Sequence, residues 1–259
     1  QFNYSARQEE TGYSVGVNKK SSTGHREMPD NSGFEQLVIF TKINHQLNNN
    51  SNLILTLNYN DSDKDSPGML IDNNSDGDYD DLYESGTPNA TMDDLDKNLS
   101  IKWIEKKSYT DTAAMIYYNQ HENIYDDPDE WGYNGSSRHI SNKTGIELNR
   151  TNYLEEQTIT YGLEVKNNKI DSNENGEHKF LTKAIYFQDE WEVQEPLKIT
   201  LGLRYDNHEK FGSELSPRFG TVYSLNDNTN MHISVGKAYR TPTFNDLYWP
   251  SDFNARIRR

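Results

Sequence analysis

Segments in which apolar and polar residues alternate recur along the whole of this 259-residue chain. In one of them, Ile199, Leu201, Leu203 and Tyr205 alternate with Thr200, Gly202, Arg204 and Asp206. A period of two places successive side chains on opposite faces of a β-strand. The same alternation occurs in residues 53–60, 160–165 and 231–236. The pattern therefore predicts an all-β chain whose strands have one apolar face and one polar face.

The spacing of these segments predicts an antiparallel meander of about 11–12 long strands. The predicted strands are residues 1–8, 11–20, 34–47, 52–62, 95–106, 110–123, 138–150, 156–170, 179–193, 199–206, 218–225 and 231–236. Several of them exceed the roughly 9–11 residues that a barrel strand needs to cross a bilayer. We expect those strands to extend beyond the membrane.

The connections between the predicted strands alternate between short and long. Tight turns are predicted near 48–51, 107–109, 151–155, 194–196 and 226–228, and longer polar loops near 21–33, 63–93, 124–137, 171–178 and 207–214. In a meander, this alternation places every long loop at the same end of the sheet. Outer-membrane β-barrels have this arrangement, with short periplasmic turns and long extracellular loops. A soluble antiparallel sheet with one solvated face is the alternative.

The composition favours an ordered β-structure with one solvated, polar face. Only 32% of the residues are hydrophobic, yet 12% are aromatic and 17 are tyrosine, which argues against a disordered chain. Eight aromatic residues are assigned to strand ends, where they would form interfacial girdles, although strands are enriched in aromatic residues generally. They are Tyr117, Tyr118, Tyr186, Phe187, Trp191, Tyr239, Phe244 and Trp249.

Charge and cysteine content exclude several classes of function. A formal net charge of −15 argues against a nucleic acid partner, and it suits cations or simply solvated loops. The absence of cysteine excludes disulfides and thiolate metal sites. No apolar run approaches the roughly 18 residues of a transmembrane helix. No nucleophile, phosphate-loop or dinucleotide motif is present, so an enzyme is not predicted.

One acidic stretch resembles the start of a calcium-binding loop. Its predicted ligands are Asp72, Asn74, Asp76, Asp78, Asp80 and Glu84. The oxygen-bearing residues stand at alternate positions, and Gly77 at the sixth position permits a sharp turn. Tyr83 occupies the twelfth position, where an EF-hand carries glutamate, and no helices are predicted around it. The alternative is a mobile acidic loop without calcium.

Other polar residues receive less specific interpretations. The second acidic stretch, residues 126–131, is predicted to be a solvated loop. His121 and His139 lack metal-ligand spacing and are interpreted as ordinary polar residues. Arg240 and Asp246 are expected to fix the local loop conformation rather than to take part in chemistry.

The stretches ELSPRFG (214–220) and GKAYRTPTFNDLY (236–248) carry a resemblance to a known family. Together they resemble the mid-barrel signature of TonB-dependent outer-membrane receptors, most closely the cobalamin and siderophore group. The similarity extends over residues 179–250. It implies a 22-stranded barrel in the outer membrane of a Gram-negative-type bacterium, with an N-terminal plug. It also implies uptake of a small-molecule nutrient, energised by the TonB complex through the plug, and calcium-ordered loops in the cobalamin group.

Within this interpretation, residues 1–250 are a partial receptor barrel without its plug, and residues 251–259 are a tail that we could not match. About 12 strands cannot close a barrel designed for 22, because diameter and shear depend on strand number. We expect an open, curved sheet with unpaired edges, or a small distorted closure. Two other functions stay open: a passive porin-like or adhesin barrel, and a soluble calcium-dependent glycan-binding domain. The transported ligand is not specified by these patterns.

Overall fold

The computed structural model describes residues 1–25, 32–69, 77, 86–128 and 135–249. Within these ranges a single 12-stranded sheet follows the chain order, and each strand pairs antiparallel with its sequence neighbours. The strands are β1 (Phe2–Gln8), β2 (Thr11–Ser22), β3 (Phe34–Asn48), β4 (Ser51–Asp65), β5 (Thr91–Lys107), β6 (Thr110–Asp127), β7 (Gly135–Tyr153), β8 (Gln157–Ser172), β9 (Gly176–Gln194), β10 (Leu197–His208), β11 (Gly212–Asn226) and β12 (Thr229–Gly236). The antiparallel meander is confirmed.

One short helix, α1 (Phe244–Tyr248), follows the last strand. Its five residues show no apolar periodicity, so this helix was not predicted from the sequence. Among the described residues, no helix is long and apolar enough to span a membrane.

The sheet is open, as expected. In the described part of the chain, β1 pairs only with β2 and β12 only with β11, so each presents an unpaired edge. The central strands are long: β7 and β9 have 19 residues each. A bilayer crossing needs only about 9–11 residues of a tilted strand. The central strands therefore extend beyond the thickness of a membrane, as predicted.

Asparagine side chains stabilise the tight turns at one end of the sheet, here called the turn end. The N–H of Asn50 donates to the Oδ1 of Asn48 at 2.9 Å, between β3 and β4. The N–H of Asn228 donates to the Oδ1 of Asn226 at 3.0 Å, between β11 and β12. Such side chains replace a backbone acceptor in a turn. The turns predicted near 48–51 and 226–228 are confirmed.

Two connections at the opposite end, the loop end, are shorter than predicted. Residues 173–175 join β8 to β9, and residues 209–211 join β10 to β11. The expected loops at 171–178 and 207–214 are therefore wrong, since most of their polar residues belong to the strands. The hydroxyl of Ser172 accepts the N–H groups of Glu174 and Asn175, which closes the first turn. The longer connections are 23–33, 66–90 and 128–134.

The strand register collects the apolar side chains on one surface, the outer face. Ile116 lies opposite both Ile101 and Ile146, and Leu163 lies opposite both Leu148 and Ile185. All six side chains are exposed. The buried hydrophobic residues of the described chain are few: Ala90, Ile170, Phe180, Ala184 and Leu247. An apolar face that covers no core suits contact with lipid rather than the soluble alternative.

Two tyrosines lie over glycines on the polar surface, the inner face. Tyr117 is opposite Gly145, and Tyr186 is opposite Gly162. A Cβ atom on Gly145 would lie 2.4 Å from the Tyr117 ring, and one on Gly162 would lie 2.5 Å from the Tyr186 ring. Aromatic side chains that cover a neighbouring glycine protect its backbone and fix register.

The expected membrane girdle is therefore only partly correct. Trp191 lies near the turn end of β9 and is exposed on the outer face, as a girdle requires, whereas Tyr118 and Phe187 share that face but lie well inside their strands. Tyr117 and Tyr186 cover glycines on the inner face instead. Tyr239, Phe244 and Trp249 belong to the segment after β12, outside the sheet. A strand pattern of period two identifies alternate residues, but it does not identify which of two adjacent aromatic residues faces outwards.

Candidate functional site on the inner face

The segment 237–249 packs against the inner face of β9 and β10 at the loop end. The ring of Phe244 stacks on that of Phe180 with centroids 4.9 Å apart, and Tyr248 stacks on His178 at 3.4 Å. Phe180 has the same strand parity as Ala184 and Tyr186, so it points to the inner face. The family-like GKAYRTPTFNDLY stretch thus lies on the polar side of the sheet, at the end that carries the longer connections.

Helix α1 begins with a capping box. The N–H of Asp246 donates to Thr243 Oγ1 at 3.2 Å, and the N–H of Thr243 donates to Asp246 Oδ2 at 2.8 Å. Reciprocal bonds of this kind satisfy two backbone donors that a helix start leaves free. The hydrogen bonds from the backbone and hydroxyl of Thr243 lower the pKa of Asp246, and the charge of Arg240 acts in the same direction. The expected conformational role of Asp246 is confirmed.

Aromatic and imidazole rings form the contact between α1 and the sheet. We name this group the aromatic cluster: His178, Phe180, His208, Phe211, Phe244 and Tyr248. Two hydrogen bonds lie at the edge of the cluster. Asn175 Nδ2 donates to Asn245 Oδ1 at 2.7 Å, and Lys210 Nζ donates to Tyr248 Oη at 2.8 Å. Because Phe180 and Leu247 are buried, apolar burial holds this segment in place.

An ion-pair network lies on the inner face nearer the middle of β8 and β10. It consists of Glu164, Lys166, Arg204 and Asp206. The Arg204 guanidinium donates to Glu164 Oε2 at 2.7 Å and to both oxygens of Asp206 at 3.0 Å. Lys166 Nζ lies 2.9 Å from Glu164 Oε1. Asp206 is buried, so its charge depends on this guanidinium.

A cavity of about 570 Å³ separates the ion-pair network from the segment 237–249. Its charged lining is mostly basic: Lys143, Lys166, Arg204, Lys237, Arg240 and the carboxylate of Asp206. The lining hydroxyls of Ser216 and Tyr239 are buried and have no hydrogen-bond partner in the described structure. Burial and the nearby Asp206 and Glu214 carboxylates raise the pKa of Tyr239, which keeps its hydroxyl protonated. We name this cavity the basic groove; it suits an anionic group.

The predicted calcium ligands, Asp72, Asn74, Asp76, Asp78, Asp80 and Glu84, lie outside the described residues. Within that stretch only Gly77 is described, and its φ of 82° lies in the left-handed region that favours glycine. The described ranges contain no group of three or more histidine, aspartate or glutamate side chains that could hold a metal ion.

The remaining polar residues singled out in the sequence have local partners. His121 Nδ1 lies 2.8 Å from Asp96 Oδ1, and His139 Nδ1 lies 2.8 Å from the Ser172 hydroxyl. Asp126 and Asp127 end β6, while residues 129–131 of the second acidic stretch are outside the described ranges. Part of the predicted solvated loop therefore belongs to a strand.

Neither the ion-pair network nor the aromatic cluster was predicted from the sequence. The period of two in their strands places Glu164 and Arg204 on a polar face. The two residues are 40 positions apart, and no sequence pattern indicates that they are in contact. The contact depends on the registers of β8, β9 and β10, which local patterns do not specify.

This architecture defines a class: the wall of an outer-membrane β-barrel, with an apolar outer face, a polar inner face and its longer connections at one end. A family model described as "TonB dependent receptor-like, beta-barrel" matches residues 1–257. The chain therefore belongs to the TonB-dependent receptor family, whose members are outer-membrane proteins of Gram-negative bacteria. It is a family of receptors and transporters. The predicted boundary at residue 250 stays a prediction.

Curated relatives and solved structures agree with this assignment. A vitamin B12 transporter (BtuB) of Photobacterium profundum is 21% identical over 88% of this chain and 35% of its own length. A probable TonB-dependent siderophore receptor (PirA) of Acinetobacter baumannii is 39% identical over 23% of this chain and 8% of its own length. The ferric enterobactin receptor of Pseudomonas aeruginosa, a mutant in complex with enterobactin, superposes with a TM-score of 0.72. That match has 15% identity and covers 93% of this chain and 41% of the receptor.

The chain thus spans about a third of the vitamin B12 transporter and about two fifths of the ferric enterobactin receptor. At such low identity the structural match supports the fold alone.

Proposed function

We propose that this chain forms part of the barrel wall of a receptor that takes up a scarce nutrient of the cobalamin or ferric siderophore class. The observation that carries the proposal is the family match over residues 1–257. Transport would consist of binding from the loop end, followed by a plug rearrangement driven by the TonB complex. The partners of this chain would be outer-membrane lipid, a small-molecule ligand and, through the plug, TonB.

The basic groove supports the siderophore branch of this proposal. Lys143 and Arg240 line it without an ion-pair partner in the described structure, and the free hydroxyl of Tyr239 offers a further hydrogen bond. Ferric complexes of acidic chelators are anionic, and charge-assisted hydrogen bonds are stronger than neutral ones. Cobalamin lacks such a concentrated negative charge, so the groove would contribute less to its binding.

Uptake measurements in cells test the proposed transport. The native protein is expressed in a bacterial strain from which the endogenous receptors for both ligands have been deleted. Uptake of radiolabelled cyanocobalamin and of a ferric catecholate siderophore is then measured with and without TonB. We expect one of the two to accumulate only when TonB is present. Accumulation that is independent of TonB would instead support the passive barrel, and absence of the protein from outer membranes would support the soluble alternative.

Groove variants then test the ligand class. Replacing Lys143 and Arg240 by glutamine should weaken binding of an anionic siderophore by about tenfold or more. In the control variant, Lys106 and Lys107 at the turn end are replaced by glutamine, and the affinity for the siderophore should be unchanged. Equal affinities for both double variants would remove the basic groove from the binding site while leaving TonB-dependent uptake as a separate result.

We also propose that calcium binds the acidic stretch that contains Asp72, Asp76 and Asp78. The spacing of oxygen ligands and the left-handed backbone of Gly77 support this proposal. Titration calorimetry of the native protein with calcium, against a sample kept in EDTA, should give heat that disappears in an Asp76→Asn, Asp78→Asn variant. No heat at millimolar calcium would refute the site.

A further inference from the structure

Two histidines of the inner face lie next to the segment 237–249 at the loop end. The His139 ring on β7 lies 5.8 Å from the Trp249 ring, measured between centroids. His208, the last residue of β10, is 4% exposed and packs against Phe180 of the aromatic cluster. In the described structure neither histidine forms an ion pair, and the partners of both rings are uncharged groups.

The hydrogen bond of His139 requires a neutral imidazole. Its Nδ1 lies 2.8 Å from the Ser172 hydroxyl. That hydroxyl already accepts the N–H groups of Glu174 and Asn175, so both of its lone pairs are used and its own hydrogen is donated to His139. A protonated His139 would carry a hydrogen on Nδ1 and could not accept this bond. The arrangement that closes the connection 173–175 therefore depends on the uncharged ring.

His208 has a similar role at the neighbouring connection. The N–H of Lys210 donates to His208 Nδ1 at 3.1 Å. Because a backbone N–H can only donate, this nitrogen carries no hydrogen and the ring is neutral. Protonation would set two donors against each other and would place a positive charge among aromatic rings. The connections 173–175 and 209–211 thus each depend on one neutral histidine.

The same two connections carry the side-chain hydrogen bonds that attach α1 to the sheet. Asn175 Nδ2 donates to Asn245 Oδ1, and Lys210 Nζ donates to Tyr248 Oη. Asn175 is buried, so its position is set by the connection to which it belongs. A change in either connection would therefore weaken the contact between α1 and the sheet.

The charges around the two rings favour their neutral forms. Burial lowers the pKa of His139, and the carboxylate of Glu174 opposes this shift only in part. Burial also lowers the pKa of His208; Glu209 opposes the shift, and the Lys210 ammonium adds to it. Other ionisable side chains of the packed elements are the pairs Asp206–Arg204 and Glu214–Lys237, the stacked His178 and Tyr248, Asp246 in the capping box, and Arg240.

Both histidines lie beyond the lipid-facing band, where protons have access. On the outer face, Asn207 precedes His208 in β10 and lies opposite Lys183. Asp171 is the outer-face residue of β8 beside the position of His139. Polar outer-face side chains of this kind mark strand ends that extend out of the hydrocarbon layer.

We propose that His139 and His208 form a pH-sensitive latch, in which protonation weakens the attachment of segment 237–249 to the sheet. Because burial lowers the pKa of both rings in the folded state, their contribution is fully present above the unfolded value of about 6.5. It is lost as the pH falls through the folded pKa values. Tyr239 and Arg240 line the basic groove, so acid should also reduce the affinity for an anionic ligand; this consequence rests on the proposed function.

Hydrogen exchange of the 244–249 amides tests the latch in the native protein without added ligand. After correction for the intrinsic exchange rate, exchange should rise by about tenfold or more between about pH 7.5 and about pH 5. A His139→Asn, His208→Asn variant keeps an acceptor near each Nδ1 position but cannot be protonated, so its corrected exchange should not depend on pH. The matched His45→Asn, His121→Asn variant, outside the latch, should respond like the native protein.

Histidine titration by NMR decides the matter if the asparagine variant is already open at neutral pH. In the native protein labelled with ¹³C-histidine, the His139 and His208 signals should titrate below about pH 6.5, together with the opening of the segment. Exchange that does not change with pH, an asparagine variant with the native pH response, or an opening that follows a different histidine would each overturn the latch. Unchanged affinity for an anionic siderophore alongside a pH-dependent opening would leave the latch intact and remove the basic groove from ligand binding.

Discussion

The loop end of the sheet has two sectors that are built in opposite ways. In the acidic sector, β4 to β6, polar side chains pair with each other along the inner face: Lys64 with Asp94 at 2.5 Å and His121 with Asp96 at 2.8 Å. In the aromatic sector, β8 to β10, rings of the sheet pack against α1. One sector is stabilised mainly by charge and hydrogen bonds, and the other mainly by burial.

The difference indicates which sector is stable without a bound ligand or ion. A solvent-accessible ion pair contributes about 0–1 kcal/mol, whereas a fully buried apolar side chain contributes about 1.5–3 kcal/mol. The aromatic sector therefore has an internal source of stability. The acidic sector has a weaker one, and it adjoins the connection 66–90 that contains the proposed calcium ligands. A bound cation would supply there what apolar packing supplies in the aromatic sector.

The largest expected effect comes from removing the central ring of the aromatic cluster. Phe180→Ala should destabilise the packing of segment 237–249 by about 3–5 kcal/mol, since the buried ring stacks on Phe244 and contacts His208. Hydrogen exchange of the 244–249 amides in the native protein measures this opening. Leu181→Ala, the outward neighbour, is the control. Unchanged exchange in the Phe180 variant would show that burial does not hold the segment.

A second variant tests whether ion pairs also stabilise the strands next to the aromatic sector. Arg204→Gln leaves Glu164 and the buried Asp206 without their main partner, which should cost about 1–3 kcal/mol. Hydrogen exchange of β8 and β10 should increase relative to an Arg150→Gln control on the outer face. If hydrogen exchange is the same in both variants, the ion-pair network does not contribute to the stability of β8 and β10.

Much of the fold could be predicted, because a period of two assigns residues to faces without knowledge of the register. Leu201, Leu203 and Tyr205 lie on the outer face as expected. The strand limits at the loop end were not predictable from the same pattern. Residues such as Asp171 and Glu177 pair in a ladder although both are polar. Beyond the membrane both faces of a strand are wet, so the alternation disappears while the hydrogen bonds continue.

The candidate site was predicted only in part, for a related reason. Asp246 was assigned a conformational role from its place in the signature, but the helix it caps has only five residues and no apolar period to reveal it. Phe180 and Phe244 are 64 positions apart, and their stacking depends on the path of segment 237–249 over the sheet. Contacts of that range require the register of several strands to be known first.

The capping box of α1 should make a smaller contribution than the ring beneath it. Thr243→Ala removes the side-chain acceptor for the N–H of Asp246 and should cost about 1 kcal/mol of helix stability. Exchange of the Asp246 amide should rise, while that of β9 should stay constant. Thr243→Ser keeps the hydroxyl and serves as the control. A serine variant that behaves like the alanine variant would contradict the capping role.

The same cap should respond to acid. Because hydrogen bonds from Thr243 lower the pKa of Asp246 in the folded state, its contribution is fully present above the unfolded value of about 4. The contribution is lost as the pH falls through the folded pKa. Fluorescence of Trp249, obtained by subtracting a Trp249→Phe sample, should change in that range. An Asp246→Asn variant should lack the transition, and an identical transition in both would assign it to another group.

The smallest effect is expected in the acidic sector. Lys64→Gln leaves Asp94 with Asn123, whose Nδ2 donates at 2.7 Å, so the loss should stay below about 1 kcal/mol. Salt should reduce the difference between variant and native protein, since screening already weakens an accessible pair. Hydrogen exchange of β4 and β5 at low and high salt provides the measurement, with Lys42→Gln on the inner face of β3 as control. A salt-independent loss as large as that of Phe180→Ala would show that charge orders the acidic sector as strongly as packing orders the aromatic one, and the need for a cation there would disappear.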